Sequence, residues 1–326
     1  MSIALFTLGG TIAMAGAGAG GVVTRLTGAD LTAAVPGLAD IPLDVRDVEA
    51  VPSAALAYRQ ILDLVDAAAA AVDGGATGAV VTQGTDTLEE TAWLADLVWP
   101  HAAPLVFTGA MRNPTLAGPD GPANLLAAAR VAAAPAARDL GVLAVLNDEI
   151  HAARFVRKTH STSTGAFASP NAGPLGQVIE GRVRVLARPP RRVPLPAVDR
   201  DRLAATRVAL HTVTLDDDVA LLDALAAGVD GLVVAGFGVG HVPPSFAPAL
   251  GALAGRMPVV LTSRTGAGSV LRDTYGAVGS ERDLRRRGLV DGGLLDPYKA
   301  KVLLRLLLAT RADAAAITEA FALHGC

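Results

Sequence analysis

The stretch Gly78-Ala79-Val80-Val81-Thr82-Gln83-Gly84-Thr85-Asp86-Thr87-Leu88-Glu89-Glu90-Thr91 passes from strand to helix through one tight polar loop. Its apolar start has the makeup of a buried strand, and Leu88–Val98 has a helical pattern opened by Asp86. The same order recurs at the start of the chain, where Ile3–Leu8 runs into Gly9-Gly10-Thr11-Ile12. Working outward, Asp30–Val35 is predicted as a short helix capped by Thr27 or Asp30. Leu43–Val51 is predicted as a strand ending at Pro52-Ser53, Tyr58–Val72 as a helix, and Leu105–Phe107 as a strand ending at Thr108-Gly109-Ala110. Pro122–Ala133 and Val142–Leu146 complete the series as helix and strand. Strands alternating with helices at this spacing predict βαβ units, a parallel sheet and right-handed crossovers.

From Glu149 to Leu186 the pattern shortens and is broken by Gly and Pro, which predicts a hairpin plus irregular chain. Arg188 to Arg202, dense in Pro and Arg, reads as a linker. Beyond it βα units resume, and two helices, Pro297–Ala309 and Ala314–Ala322, close the chain. The expected fold class is α/β: a larger N-terminal parallel-sheet domain over residues 1–187, a linker over 188–204, and a smaller C-terminal α/β domain over 205–326.

Bulk properties narrow the function. The chain has 326 residues, more than a single core usually serves. A net charge of −3 gives no pull toward nucleic acid, and no apolar run reaches the roughly 20 residues of a spanning helix. Neither a nucleic-acid nor a membrane partner is expected. The start, Met1-Ser2-Ile3-Ala4, shows no Sec-type leader, and the single cysteine, Cys326, forms no internal disulfide; a cytoplasmic location is the expectation. Arg285-Arg286-Arg287 reads as a solvated helix end near Gly288.

If the strands are parallel, four strand ends deliver Thr11, Ser53, Thr85-Asp86 and Gly109-Ala110 to one rim, where ligands of open α/β sheets bind. Hydrolysing an amide there needs an activated hydroxyl, donors for the oxyanion and a proton for the leaving nitrogen. Thr11 is the candidate nucleophile, since Gly9 and Gly10 let backbone and substrate approach closely. Thr85 is no base by itself, and Asp86 is short and helix-initial; a lysine amine would supply the missing basicity. Only Lys158, Lys299 and Lys301 occur in a chain that otherwise uses arginine, and Lys158 follows the last strand of the first domain.

At these residues the chain resembles the bacterial-type L-asparaginases of the asparaginase/glutaminase superfamily. The likeness covers nearly the whole length. Its carriers are Leu8-Gly9-Gly10-Thr11-Ile12-Ala13, Gln83 to Thr91, Thr108-Gly109-Ala110-Met111-Arg112, Asp120-Gly121-Pro122-Ala123-Asn124-Leu125 and Lys299-Ala300-Lys301. The resemblance implies Thr11 as nucleophile and Thr85, Lys158 and Asp86 as the triad that activates the hydroxyl. It implies Ser53 and Asp86 as holders of the substrate's α-carboxylate and α-amino group, and Ala110 as a backbone contact to the scissile amide. It also implies no metal or other cofactor, and a homo-oligomer, a dimer or a tetramer of close dimers. A neighbour's C-terminal domain would then add Glu281, at the position of the amine-binding glutamate, with His241 replacing another polar residue.

The chain departs from that pattern in four places. Leu8 stands where the family has Thr, with Thr7 one position earlier, and Gln83 replaces His. Ala54 replaces a carboxylate-binding Gln, and no Tyr precedes Tyr58, so the mobile loop over Gly16 to Gly21 lacks its catalytic tyrosine. These changes predict weak turnover of free L-asparagine and room for a related amide: glutamine, D-asparagine or an N-substituted asparagine. A weakly active paralogue is a further reading. So is the tRNA-dependent amidotransferase subunit, which is disfavoured because that subunit carries an added N-terminal domain. Tyr275 is a candidate substitute aromatic. Gly16 to Gly21 also fits G-x-G-x-x-G, but Gly9-Gly10 already occupies the strand-to-helix turn that a dinucleotide site needs. Asp148, Glu149, His151 and His160 match no metal-ligand spacing. Trp93 and Trp99 are spaced for core or interface packing.

Overall fold

The structure, a computed structural model, describes residues 2–15, 23–24, 27–33 and 35–326. The Gly16 to Gly21 segment read as a mobile loop lies outside these residues. The chain forms two compact units, Met1–Pro194 and Leu195–Cys326.

In the first unit the strands are β1 (Ile3–Thr7), β2 (Met14–Ala15), β3 (Val23–Thr24), β4 (Leu43–Asp47), β5 (Ala79–Thr82), β6 (Leu105–Thr108) and β7 (Val142–Leu146). They are followed by β8 (Glu149–Ala152), β9 (Arg157–Lys158), β10 (Phe167–Ala168), β11 (Gly176–Ile179) and β12 (Arg182–Val185). Eight of them make one sheet in the order β12-β11-β8-β7-β6-β5-β1-β4. The pairs among β4, β1, β5, β6 and β7 are parallel, while β8, β11 and β12 are joined antiparallel. The sheet is therefore mixed: the expected parallel strands form its body, and the chain after Val142–Leu146 extends it antiparallel. The cause is local: Asn147 and Asp148, at φ 53° and 61°, make a two-residue turn that sends β8 straight back along β7.

β1, β5, β6 and β7 are buried on both faces, as their apolar runs require, while β4 is the more exposed edge strand. Ile3, Leu5, Val80, Val106 and Leu143 join one core with residues of α1 (Gly28–Ala33) and α4 (Gly121–Ala133). The alternate residues face α2 (Tyr58–Asp73) and α3 (Leu88–Val98), where Trp93 is 1% exposed. Trp99, equally buried, lies one residue past the end of α3 rather than on it. The strand predicted over Leu43–Val51 stops at Asp47, because Val48 and Glu49 both donate to the Thr7 carbonyl at the end of β1.

The second unit holds β13 (Val208–Thr212), β14 (Gly231–Gly236), β15 (Val259–Ser263) and β16 (Val290–Asp291), parallel and in sequential order. Around them lie α5 (Arg200–Ala205), α6 (Ala220–Ala226), α7 (Phe246–Ala254), α8 (Glu281–Arg286), α9 (Pro297–Ala309) and α10 (Ala314–His324). Asp199, Asp296 and Asp313 cap α5, α9 and α10 by accepting from the backbone N–H three residues on. Arg285 and Arg286 form the last turn of α8, as expected. No helix among the described residues is long and apolar enough to cross a membrane.

Candidate active site

Within the parallel part of the first sheet the chain order is β1, β4, then back across β1 to β5, β6 and β7. This is the doubly wound arrangement in which the direction of winding reverses between the first strand and the third. The crevice opens beyond the carboxyl ends of β1 and β5, and the loops that leave those two strands carry Thr11 and Thr85.

Glycines bring these loops into backbone contact. A Cβ on Gly10 would stand 2.2 Å from the Gly84 nitrogen, and one on Gly84 would stand 2.8 Å from Ser53 Oγ. A Cβ on Gly109 would meet the Gln83 carbonyl oxygen at 2.5 Å and Thr85 Cγ2 at 3.2 Å. Gly10 also holds φ +89°, a conformation that disfavours any side chain. Each loop is thus seated on its neighbour with no side chain between, and the four strand ends singled out in the sequence converge.

Thr11 opens a short 3-10 helix, Thr11–Ala13, and is half-buried. Thr85 opens another, Thr85–Thr87, and is buried. Lys158 Nζ lies 2.9 Å from Thr85 Oγ1 and 2.7 Å from Asp86 Oδ1. The lysine side chain is 15% exposed and that of Asp86 is 72% exposed, so the amine is tucked under a carboxylate that still faces solvent. Ser53 is buried, and its hydroxyl has no partner among the described residues. Thr87 ties the Ser53 loop down by donating to the Ser53 carbonyl at 3.1 Å. Thr11, Ser53, Thr85, Asp86 and Ala110 therefore lie along the rim of one sheet, and Lys158, from the separate β9–β10 ladder, reaches it through Thr85.

The loop bearing Ala110 depends on residues to which the sequence assigned no role. The Asp120 carboxylate accepts from the Met111 and Arg112 N–H groups. Asn124 donates to the Gly109 carbonyl at 2.9 Å and accepts from the Asn147 N–H at 2.9 Å, linking the ends of β6 and β7. Gln83, the replacement for a family histidine, is fully buried; it donates to the Gly84 carbonyl and accepts from Thr91 Oγ1 at 2.8 Å. Its amide thus braces the loop. Thr7, adjacent to the unexpected Leu8, donates its hydroxyl to Asp47.

Glu281 lies in the second unit and is fully buried. Its Oε1 accepts from the N–H groups of Thr274 and Tyr275 at 2.9 and 2.7 Å, and its Oε2 is 3.3 Å from His241 Nε2. Burial pushes this carboxyl up, but the N–H donors and His241 outweigh it and hold it below the ordinary range. The Tyr275 ring stands edge-on to His241 with centroids 4.8 Å apart and is half exposed.

Hydroxyls, an amine and a carboxylate gathered at the switch point of a doubly wound sheet are the equipment of a hydrolase acting on a carbonyl carbon. Residues 2–191 match the family model for the asparaginase N-terminal domain, and residues 207–321 match that for the glutaminase/asparaginase C-terminal domain. An L-asparaginase of Bacillus licheniformis is 34% identical over 94% of this chain and 95% of its own length. A glutaminase-asparaginase of Pseudomonas aeruginosa is 33% identical over 98% of this chain and 90% of its own. The crystal structure of a probable cytoplasmic L-asparaginase from Campylobacter jejuni superposes with a TM-score of 0.86 at 31% identity, covering 98% and 99% of the two chains. The chain belongs to the asparaginase family and is an amidohydrolase.

Proposed function

We propose that this amidohydrolase converts L-asparagine and water to L-aspartate and ammonia, with Thr11 as nucleophile and Thr85, Lys158 and Asp86 as the proton-moving group. The observation that carries this reading is the Lys158 amine, within hydrogen-bond distance of both Thr85 and Asp86. As the general base, the amine draws a proton through Thr85 as a hydroxyl oxygen bonds to the amide carbon. The proton passes to the departing nitrogen when the C–N bond breaks, and water then cleaves the resulting ester to return Thr11. The Ser53 hydroxyl, unpartnered among the described residues, suits the α-carboxylate, and the outward oxygen of Asp86 suits the α-ammonium. The backbone at Ala110 contacts the scissile amide. Glu281 adds a second carboxylate from a neighbouring copy in a homodimer or a tetramer of close dimers. The likeness to the Campylobacter protein supports a cytoplasmic location, which cell fractionation tests.

A broader amide specificity is the second reading. It is favoured by Ala54 in place of a carboxylate-binding glutamine and by the relatives named glutaminase-asparaginase. One experiment separates the two: ammonia release from L-asparagine, L-glutamine, D-asparagine and N-substituted asparagines, with Lys158→Met and Tyr275→Phe in parallel. The first reading expects L-asparagine to be the best substrate and Lys158→Met to be inactive. Preference for another amide selects the second, an active Lys158→Met removes the lysine from the mechanism, and an unchanged Tyr275→Phe removes Tyr275 as a stand-in for the missing loop tyrosine.

A further inference from the structure

Lys158 is carried by a strand of two residues. Among the described residues β9 pairs only with β10, with Lys158 opposite Phe167 and Arg157 opposite Ala168, and one further N–H, that of Thr159, continues the ladder to Ala166. So short a ladder fixes the path of the backbone but leaves the direction of a long side chain weakly determined. Side chains supply the rest. Lys158 pairs with Asp86 at 2.7 Å, and the preceding residue, Arg157, pairs with Glu89 at 3.8 Å. Asp86 lies in the 3-10 turn Thr85–Thr87 that leads into α3, and Glu89 lies in the first turn of α3. The Arg157 and Glu89 side chains are 18% and 9% exposed, so the pair is held away from bulk solvent, where an ion pair is more than a surface decoration. Two ion pairs from adjacent residues, one to Asp86 and one to Glu89, resist a rotation of the strand that either alone would permit.

We infer that Arg157 and Glu89 form a positioning ion pair that holds Lys158 on Thr85 for the reaction proposed above. Neither residue touches the reacting atoms; they act through the lysine. The inference rests on Lys158 being the proton-moving amine, so Lys158→Met is the reference.

The test is steady-state kinetics on the full-length enzyme with Arg157→Met, Arg157→Lys, Glu89→Gln and the double variant E89Q/R157M, alongside thermal unfolding. A displaced amine costs proton transfer more than substrate binding, and a misplacement near 1 Å is worth up to about 100-fold. The expected result is therefore kcat lowered about 10- to 100-fold in R157M and E89Q, with KM within about twofold. R157K recovers part of the loss. The double variant is decisive, because it removes both charges of the pair together rather than leaving one without the other. Low kcat in a double variant that melts like the wild type supports positioning, as does a loss smaller than the product of the single losses. Wild-type kcat in R157M, or activity that returns with stability in the double variant, overturns it. If Lys158→Met retains turnover, the parent reading fails; if Lys158→Met is inactive and R157M is fully active, only this inference fails.

Discussion

A methyl group added at Gly10 would stand 2.2 Å from the Gly84 nitrogen, at a residue whose φ of +89° already disfavours a side chain. Gly10→Ala therefore couples backbone strain to a wedge between the Thr11 and Thr85 loops. We expect a loss of about 2–4 kcal/mol in stability, read by urea unfolding, together with loss of amide hydrolysis. Gly75 is the control. Its φ is +100° but nothing lies within 4 Å of a methyl placed there, so Gly75→Ala should cost about 1 kcal/mol and leave kcat unchanged. At the two hydroxyls the expectation is the reverse. Thr11→Val and Thr85→Val keep shape and stability while lowering kcat by at least about 100-fold. A fully active variant of either kind removes that threonine from the chemistry.

At the scale of elements, the Gly109–Arg112 segment is held by two side chains from the start of α4. Asn124→Leu deletes the bond to the Gly109 carbonyl and orphans the Asn147 N–H. With about 1–3 kcal/mol for each of these two unsatisfied groups, a loss of roughly 2–6 kcal/mol is expected. Asp120→Asn keeps an acceptor for Met111 or Arg112 and should cost less. Faster amide exchange at Met111 and Arg112 in both variants, with kcat/KM reduced, checks the assignment. The contrast shows what the sequence discloses. Apolar runs such as Val142–Leu146 signal elements through local patterns, so the elements they mark were legible to within a few residues, whereas α5 (Arg200–Ala205) lies largely inside the stretch read as a linker. Lys158 was legible because lysine is rare here. The clamp of Asp120 and Asn124, the Gln83–Thr91 brace and the Arg157–Glu89 pair were not. Each joins side chains to groups brought near only by the fold, and such contacts leave no period along the chain. The antiparallel extension was half legible: the hairpin after β7 was expected, but its attachment to the main sheet depends on register rather than composition.

At the scale of the whole chain, three carboxyls of the second unit carry an acid liability. Burial pushes Asp217, Glu281 and Asp283 up, yet hydrogen bonds leave all three below their ordinary values of 3.8, 4.5 and 3.8. The Thr214 N–H and His211 act on Asp217, the Tyr275 and Thr274 N–H groups and His241 act on Glu281, and Arg287 and the Gly279 N–H act on Asp283. A depressed folded pKa means that the unfolded unit binds more protons than the folded one as the pH falls. The stability these groups contribute is therefore complete above the unfolded pKa values and is lost as the pH drops through the folded ones. The melting temperature of the second unit should hold steady from pH 7 to about 5 and fall steeply below about 4.5. Glu281→Gln isolates the most deeply buried of the three, because it removes the charge while keeping an acceptor for Thr274 and Tyr275. It should destabilise the unit by roughly 1–3 kcal/mol at pH 7, the usual range for hydrogen bonds to a charged group. That deficit should narrow between pH 7 and pH 3, as the pH falls toward and through the depressed folded pKa of the carboxyl. Unfolding of the full chain at both pH values decides the matter. A deficit that is the same at pH 7 and pH 3 would mean that the shape of the glutamate, rather than its charge, holds the Thr274–Tyr275 turn.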